Sequence, residues 1–224
     1  MFLTSLENGE KPKKKPPSLS ALLHPTTFPN IATLAVVAQR PVVWEIQDNF
    51  QKQTYRNRYH ICTDQGLHKL SIPIKHVGGT DGRQKYTEVL IDNSDRWQLI
   101  HWRTVQTAYR TSPFFEFYED DLAPLFEEKY AKLIDFNWAS IQLLGQALDL
   151  DIPKNYSESY QKESTDSLDL RHLVNAKKAS TFTFDPYTQV FGERHGFLPN
   201  VSTLDLLFNE GPNAANYLKQ VTLI

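Results

Sequence analysis

Between Leu22 and Ile46 the chain is laid out as apolar run, proline-broken loop, apolar run and apolar run, and few folds accept that order. Leu22-Leu23 leads into His24-Pro25-Thr26-Thr27-Phe28-Pro29. The two prolines bias their preceding residues away from helix, so this piece reads as a loop. Asn30 is placed to cap a short helix over Ile31 to Gln39, which Pro41 ends. Val42 to Ile46 follows as a strand. Strand, loop, helix and strand in this order predict a β-α-β unit, and so an α/β fold with a mixed sheet.

The remainder predicts a single domain with a helix-rich C-terminal half. Tyr59–Thr63 and Leu67–Ile74 flank Asp64-Gln65-Gly66, a hairpin signal. Thr87–Ile91 reads as another strand. Asn93-Ser94-Asp95 predicts the start of a helix through Trp97, Val105 and Ala108, stopped at Ser112-Pro113. An aromatic cluster at Phe114–Tyr118 is followed by a short helix over Asp121–Phe126. The longest helix is expected over Lys129–Leu148. Ser157–Ser167 reads as a polar surface loop and Leu170–Lys178 as a helix. Ser202 and Asp205 have the spacing of a capping box ahead of Leu206–Phe208, with Gly211 and Pro212 ending that helix and starting the next.

At 224 residues one core of ordinary size is expected. Residues 1–17 include Lys11-Pro12-Lys13-Lys14-Lys15-Pro16-Pro17 and predict a flexible basic extension, leaving 18–224 as the α/β domain. This tail reads either as an electrostatic tether or, more plainly, as solvated chain. A net charge of −2 argues against a protein built to neutralise a nucleic-acid backbone, and no specific nucleic-acid partner is expected. No run of about 18 apolar residues and no secretory leader is found, so the expected location is cytoplasmic, with peripheral association with a membrane complex left open. Cys62 is the single cysteine, which removes intrachain disulfides and cysteine-based zinc sites, and its strand context favours a buried structural thiol. The seven histidines have no metal-ligand spacing, no nucleotide-loop or hydrolase motif is present, and no metal or cofactor is expected. Val77–Gly82 is glycine-rich but lacks the strand-to-helix setting of a phosphate loop.

The densest polar stretch runs from Glu45 to Arg58, in the connection after the second strand. Loops at the end of an α/β sheet supply ligand contacts in many proteins. Arg56 and Arg58 have the geometry to fork onto a carboxylate or phosphate, and in an extended chain would share one side, opposite Tyr55 and Asn57. The competing reading is a solvated loop with internal ion pairs. His24 lies in the preceding connection, where a histidine can act as acid, base or anion ligand, or serve only as a hydrogen-bonded structural residue. The start of the helix at Asn30-Ile31 offers free N–H groups to an anion nearby. Together these give a candidate cleft between His24–Asn30 and Glu45–Arg58. His24 and Glu45 are its candidate catalytic bases. Phe28, Lys52, Tyr55, Arg56, Asn57 and Arg58 are candidate ligand contacts.

Several of these segments resemble the WbqC-like protein family, particularly its Bacteroidetes members. They are Phe28-Pro29, Trp44-Glu45-Ile46, Lys52-Gln53-Thr54-Tyr55-Arg56-Asn57-Arg58, Leu70–Ile74, Arg96–Arg103, Ala108–Phe115 and Asn200–Pro212. The resemblance spans nearly everything after Leu22. It implies a role in surface-polysaccharide synthesis of the O-antigen kind, with glycyl or acyl transfer to a sugar as the reaction and a sugar or activated acyl or aminoacyl compound as ligand. The alternative is a non-catalytic binding or scaffolding protein attached to a surface-glycan assembly. One departure stands out: the Tyr (or Gln-Pro-Tyr) usual before Phe-Pro is missing from His24–Pro29.

Overall fold

The computed structural model describes residues 19–75, 84–164 and 166–223. Both the basic extension over residues 1–17 and the Val77–Gly82 loop lie outside the described residues. The expected β-α-β unit forms: β1 (Ala21–Leu23) and β2 (Val42–Trp44) pair in parallel, Ala21 opposite Val42 and Leu23 opposite Trp44. They are joined by α1 (Ile31–Gln39), whose first six residues are all buried, as befits a helix apolar on every side.

A third strand, β5 (Leu168–Asp169), completes the parallel sheet in the order β2-β1-β5. The polar-loop and helix expectations for Ser157–Ser167 and Leu170–Lys178 miss it. Two residues carry no readable alternation, and the strand exists because the β1 backbone offers partners: Leu168 N–H donates to Ser20 O at 2.8 Å and Leu170 N–H to Leu22 O at 3.1 Å. Within Leu170–Lys178 only Arg171–Val174 is helical, as one tight 3-10 turn.

The hairpin lies in a separate antiparallel sheet. β3 (Arg58–Thr63) and β4 (Gly66–Ser71) pair from Arg58–Ser71 to Thr63–Gly66. Gly66 closes the turn at φ +92°, a conformation side chains resist. The strand expected at Thr87–Ile91 is instead a 3-10 turn over Tyr86–Glu88 followed by single bridges, Ile74 to Ile91 and Leu90 to Lys132. The second bridge holds Lys132 extended, so the long helix α4 (Leu133–Ala147) starts at Leu133 rather than Lys129.

Before it come α2 (Trp97–Tyr109) and α3 (Phe115–Glu127). The aromatic cluster at Phe114–Tyr118 forms the first turns of α3 instead of a separate connection. Asn93 is no cap for α2: its Oδ1 accepts from Trp97 Nε1 at 3.1 Å and its Nδ2 donates to Tyr130 O. After the short α5 (Gly192–His195) the chain closes with α6 (Thr203–Glu210) and α7 (Ala214–Gln220). Ser202 caps α6 as expected, but Asp205 completes no capping box. It turns inward and accepts from Tyr109 Oη at 2.7 Å, Tyr187 Oη at 2.6 Å and Gln189 Nε2 at 2.8 Å, while the Ser202 N–H is taken by His60 O. This buried carboxylate ties α2, α6 and the 187–189 segment together. Phe28 sits at the centre of the core, stacked on Phe126 and edge-on to Tyr59 and Phe136.

Candidate functional site

The three parallel strands deliver a polar residue each to one edge of the sheet. His24 follows β1, Glu45 follows β2 and Asp169 ends β5, so all three stand at the carboxyl ends of their strands. That edge is where α/β sheets place their ligands. Asp48 and Arg56 come in from the Glu45–Arg58 connection, and Arg171 from the turn after β5.

The inner part of the cluster is buried. Arg56 is fully buried, Glu45 is 1% exposed, His24 6% and Asp48 8%. Arg56 Nη2 donates to Asp48 Oδ2 at 2.5 Å, and its guanidinium carbon stands 5.1 Å from the centre of the Tyr86 ring. The same Nη2 lies 2.9 Å from His24 Nε2, while His24 Nδ1 lies 3.1 Å from Glu45 O. One tautomer satisfies both contacts: Nδ1–H donates to the carbonyl and Nε2 accepts from Arg56. Burial, and then the Arg56 charge, hold the His24 imidazole well below its usual pKa, so it is neutral at pH 7. Asp48 moves the other way. Burial, opposed by Arg56 and aided by Glu45, raises its pKa to about 6. Asp48 Oδ1, Arg56 Nε, Arg56 Nη1 and Thr26 Oγ1 are buried with no protein partner.

The outer part is held by Arg171. Its Nε and Nη2 grip both oxygens of Asp169 at 2.9 and 2.5 Å, and Nη1 stands 3.7 Å from Glu45 Oε2. The remaining hydrogen bonds of Arg171 reach the carbonyls of Gln161 (2.7 Å) and Lys162 (3.0 Å). Arg171 therefore fastens the polar 157–167 strap over the sheet. At its other end the strap is tied to β2, with Trp44 N–H donating to Asn155 O and Ser157 N–H to Trp44 O.

Between strap and sheet lies a cavity of about 310 Å³, with Ser20, Leu22, Val43 and Glu45 on the sheet side and Ser157, Ser159, Ser164 and Ser167 among the residues above. Strand alternation explains the split: Leu22 and Val43 face the cavity while Ala21, Leu23 and Trp44 enter the core. Glu45 Oε1 accepts from Gln47 N–H at 2.7 Å and Ser157 Oγ at 3.0 Å. Glu45, Glu158 and Asp166 make the lining acidic, and none of the described residues lining it carries a cationic side chain.

His24, Glu45 and Arg56 are thus brought together, and the other candidates are not. Lys52 is exposed, Phe28 is in the core, and Asn57 donates to Ile72 O. The 52–57 stretch is a series of turns rather than extended chain. Arg56 accordingly turns into the cluster, while Arg58 begins β3 and Tyr55 reaches His60 on the hairpin, Oη to Nδ1 3.4 Å. The start of α1 has no N–H left for an anion: Ile31 donates to Val201 O, Ala32 to Asn200 Oδ1, Thr33 to Asn30 Oδ1 and Leu34 to Asn30 O. Sequence reasoning assigned no role to Asp48, Asp169 or Arg171. Asp48 lay inside the recognised polar stretch, and Leu168-Asp169-Leu170 has an alternation too short to register. Among the described residues no group of three His, Cys, Asp or Glu side chains is placed to hold a metal ion, and no helix is long and apolar enough to cross a membrane.

The sequence model of the WbqC-like protein family matches residues 39–185, more than half of the chain. The matched span holds Glu45, Asp48, Arg56, Asp169 and Arg171, while His24 lies outside it. The chain is also 29% identical over 205 residues to an uncharacterized protein of Mycobacterium tuberculosis, covering 78% of this chain and 86% of that one. No solved structure gives a significant match.

Proposed function

The chain belongs to the WbqC-like protein family, and from that premise we propose that it is a transferase that moves an acyl or aminoacyl group onto an amino sugar in surface-polysaccharide synthesis. The observation that carries this reading is the acidic, serine-lined cavity with the buried Glu45 carboxylate in its floor. An amino sugar suits it on two counts. Its hydroxyls find the serine hydroxyls of the strap, and its ammonium finds an acidic lining, where Arg171 reaches Glu45 Oε2 only at 3.7 Å.

In this mechanism Glu45 is the base. The acceptor nitrogen, freed of a proton by Glu45, attacks the carbonyl carbon of an activated ester or thioester donor. The new bond is N–C and the bond from that carbon to the donor's leaving group breaks; the first proton of the ammonium passes through Glu45 to water, and the second, lost as the amide forms, passes to the leaving group. Gln47 N–H and Ser157 Oγ–H fix Oε1 of Glu45, and Oε2, 3.7 Å from Arg171 Nη1, is the oxygen that meets the substrate. His24, with both ring nitrogens engaged, is a positioning residue: it braces Arg56, which holds Asp48.

The test is a thermal-shift screen with nucleotide-linked amino sugars, ATP and acyl-CoA, followed by transfer assays with whatever binds. Substitution Glu45→Gln keeps the acceptor to Gln47 and Ser157 but cannot take a proton. We expect transfer to fall about a hundredfold or more with Tm little changed. Silence from every ligand class would favour the scaffolding alternative.

A further inference from the structure

The anion site expected beside Arg56 has no free donor there except those buried behind Asp48, but a second cavity of about 310 Å³ on the outer face of the hairpin has the opposite character to the first. Tyr55, His60, Phe182, Asn200, Lys177 and Lys178 line it. His60 shares its strand face with Arg58, two residues away, and stands directly across from Lys69 on β4. None of the described residues lining it carries a carboxylate.

Three features make it more than a basic patch. Tyr55 and Phe182 are almost fully buried beneath it, and the exposed Leu67 and half-buried Phe184 complete an apolar wall that stands before any ligand arrives. Asn200 spends its Oδ1 on Ala32 N–H at 2.9 Å, from a backbone position held at φ +55°, which leaves its amide N–H groups for another acceptor. Lys177 and Lys178 stand at the exposed rim and form no ion pair with a described residue. An apolar wall for a flat ring, an amide donor and two ammonium groups are the requirements of one ligand class. The geometry points to this cavity as a binding site for a nucleoside phosphate, with the base against Leu67 and Phe184 and the phosphate at Lys177 and Lys178.

The site stands independently of the acidic cavity. Adjacent residues serve the two: Arg56 turns to the sheet edge and Tyr55 to the hairpin, and on the neighbouring segment Arg171 serves one and Lys177 the other. The size is at the lower end of small-molecule pockets, roughly 300–1,000 Å³, which suits a nucleoside monophosphate.

Isothermal titration of the full chain with AMP, UMP, ribose 5-phosphate and inorganic phosphate tests it. We expect one nucleotide to bind at least tenfold more tightly than ribose 5-phosphate. The double substitution Lys177→Ala with Lys178→Ala should weaken that nucleotide at least tenfold with Tm unchanged, since both side chains are exposed. Glu45→Gln should leave binding intact even if the transferase reading fails. In NMR, the His60 titration should move to higher pH when the nucleotide is added, because a phosphate offsets the Arg58 and Lys69 charges that act on it. Absence of nucleotide binding, equal affinity for ribose 5-phosphate, or indifference to the double substitution would overturn the assignment.

Discussion

Arg56 and Asp48 are a buried ion pair whose two members respond differently to loss of the other. A carboxylate left alone in a buried site can take up a proton, and burial has already lifted Asp48 to a pKa of about 6. A guanidinium has no such escape, because it stays charged throughout the accessible pH range. Substitution Asp48→Asn should therefore cost about 3–5 kcal/mol at neutral pH, the usual penalty for stranding a buried charge. Arg56→Met should cost clearly less, and its cost should shrink further at pH 5, where Asp48 is readily neutral. Urea denaturation of both variants at pH 7 and pH 5 checks this, and equal losses at both pH values would contradict it. The Glu45–Arg58 stretch was recognisable from its density of polar groups, and it does supply Glu45, Asp48 and Arg56 to the charged cluster. The direction each side chain takes was not, because alternation assumes an extended chain and residues 52–57 make turns.

Elements that make their own signals were legible, and elements made by their neighbours were not. α1 and the hairpin carry caps, breaks and periodicity within a few residues, and both form where expected. β5 has only two residues and owes its conformation to β1. Missing it also hid Asp169 and Arg171, the pair that holds the outer part of the charged cluster. Asp205 shows the same limit from the other side. Its spacing fits a cap, but tertiary partners on α2 and the 187–189 segment claim the carboxylate. The α6–α7 junction, by contrast, was readable from Gly211 and Pro212. At Gly211 φ is +51°, and a Cβ would come within 2.6 Å of the Phe114 ring. Gly211→Ala is expected to destabilise the chain by about 2 kcal/mol or more, through both strain and overpacking. A smaller loss in thermal unfolding would mean that Phe114 can move aside.

Across the whole molecule, burial of neutral histidines links stability to pH. His101 is 4% exposed, with Nδ1 3.3 Å from Tyr59 Oη, and burial lowers its pKa to about 4. A folded pKa below the unfolded value of about 6.5 gives a contribution that is complete above pH 6.5 and is lost as pH falls toward 4. That loss is about 3 kcal/mol at most. His24 acts in the same direction, whereas Asp48, with its raised pKa, favours the folded chain most below pH 4 and loses that contribution as pH rises through 6. His101→Gln should flatten the stability profile between pH 4 and 6.5, and an unchanged slope in chemical denaturation would show that His101 is not its source.

At this scale the fold also separates charge. One cavity at the sheet edge is acidic, and the cavity on the hairpin face is basic. The central claim is that the acidic cavity receives the amine-bearing acceptor through Glu45. Saturation-transfer NMR with methyl glucosaminide, which carries no phosphate, tests it most directly, with methyl glucoside as the neutral control. The account predicts saturation transfer to the glucosaminide above that to the glucoside in the native chain, and its loss in Glu45→Gln. Equal transfer to the two sugars, or transfer to the glucosaminide undiminished by the substitution, would contradict it.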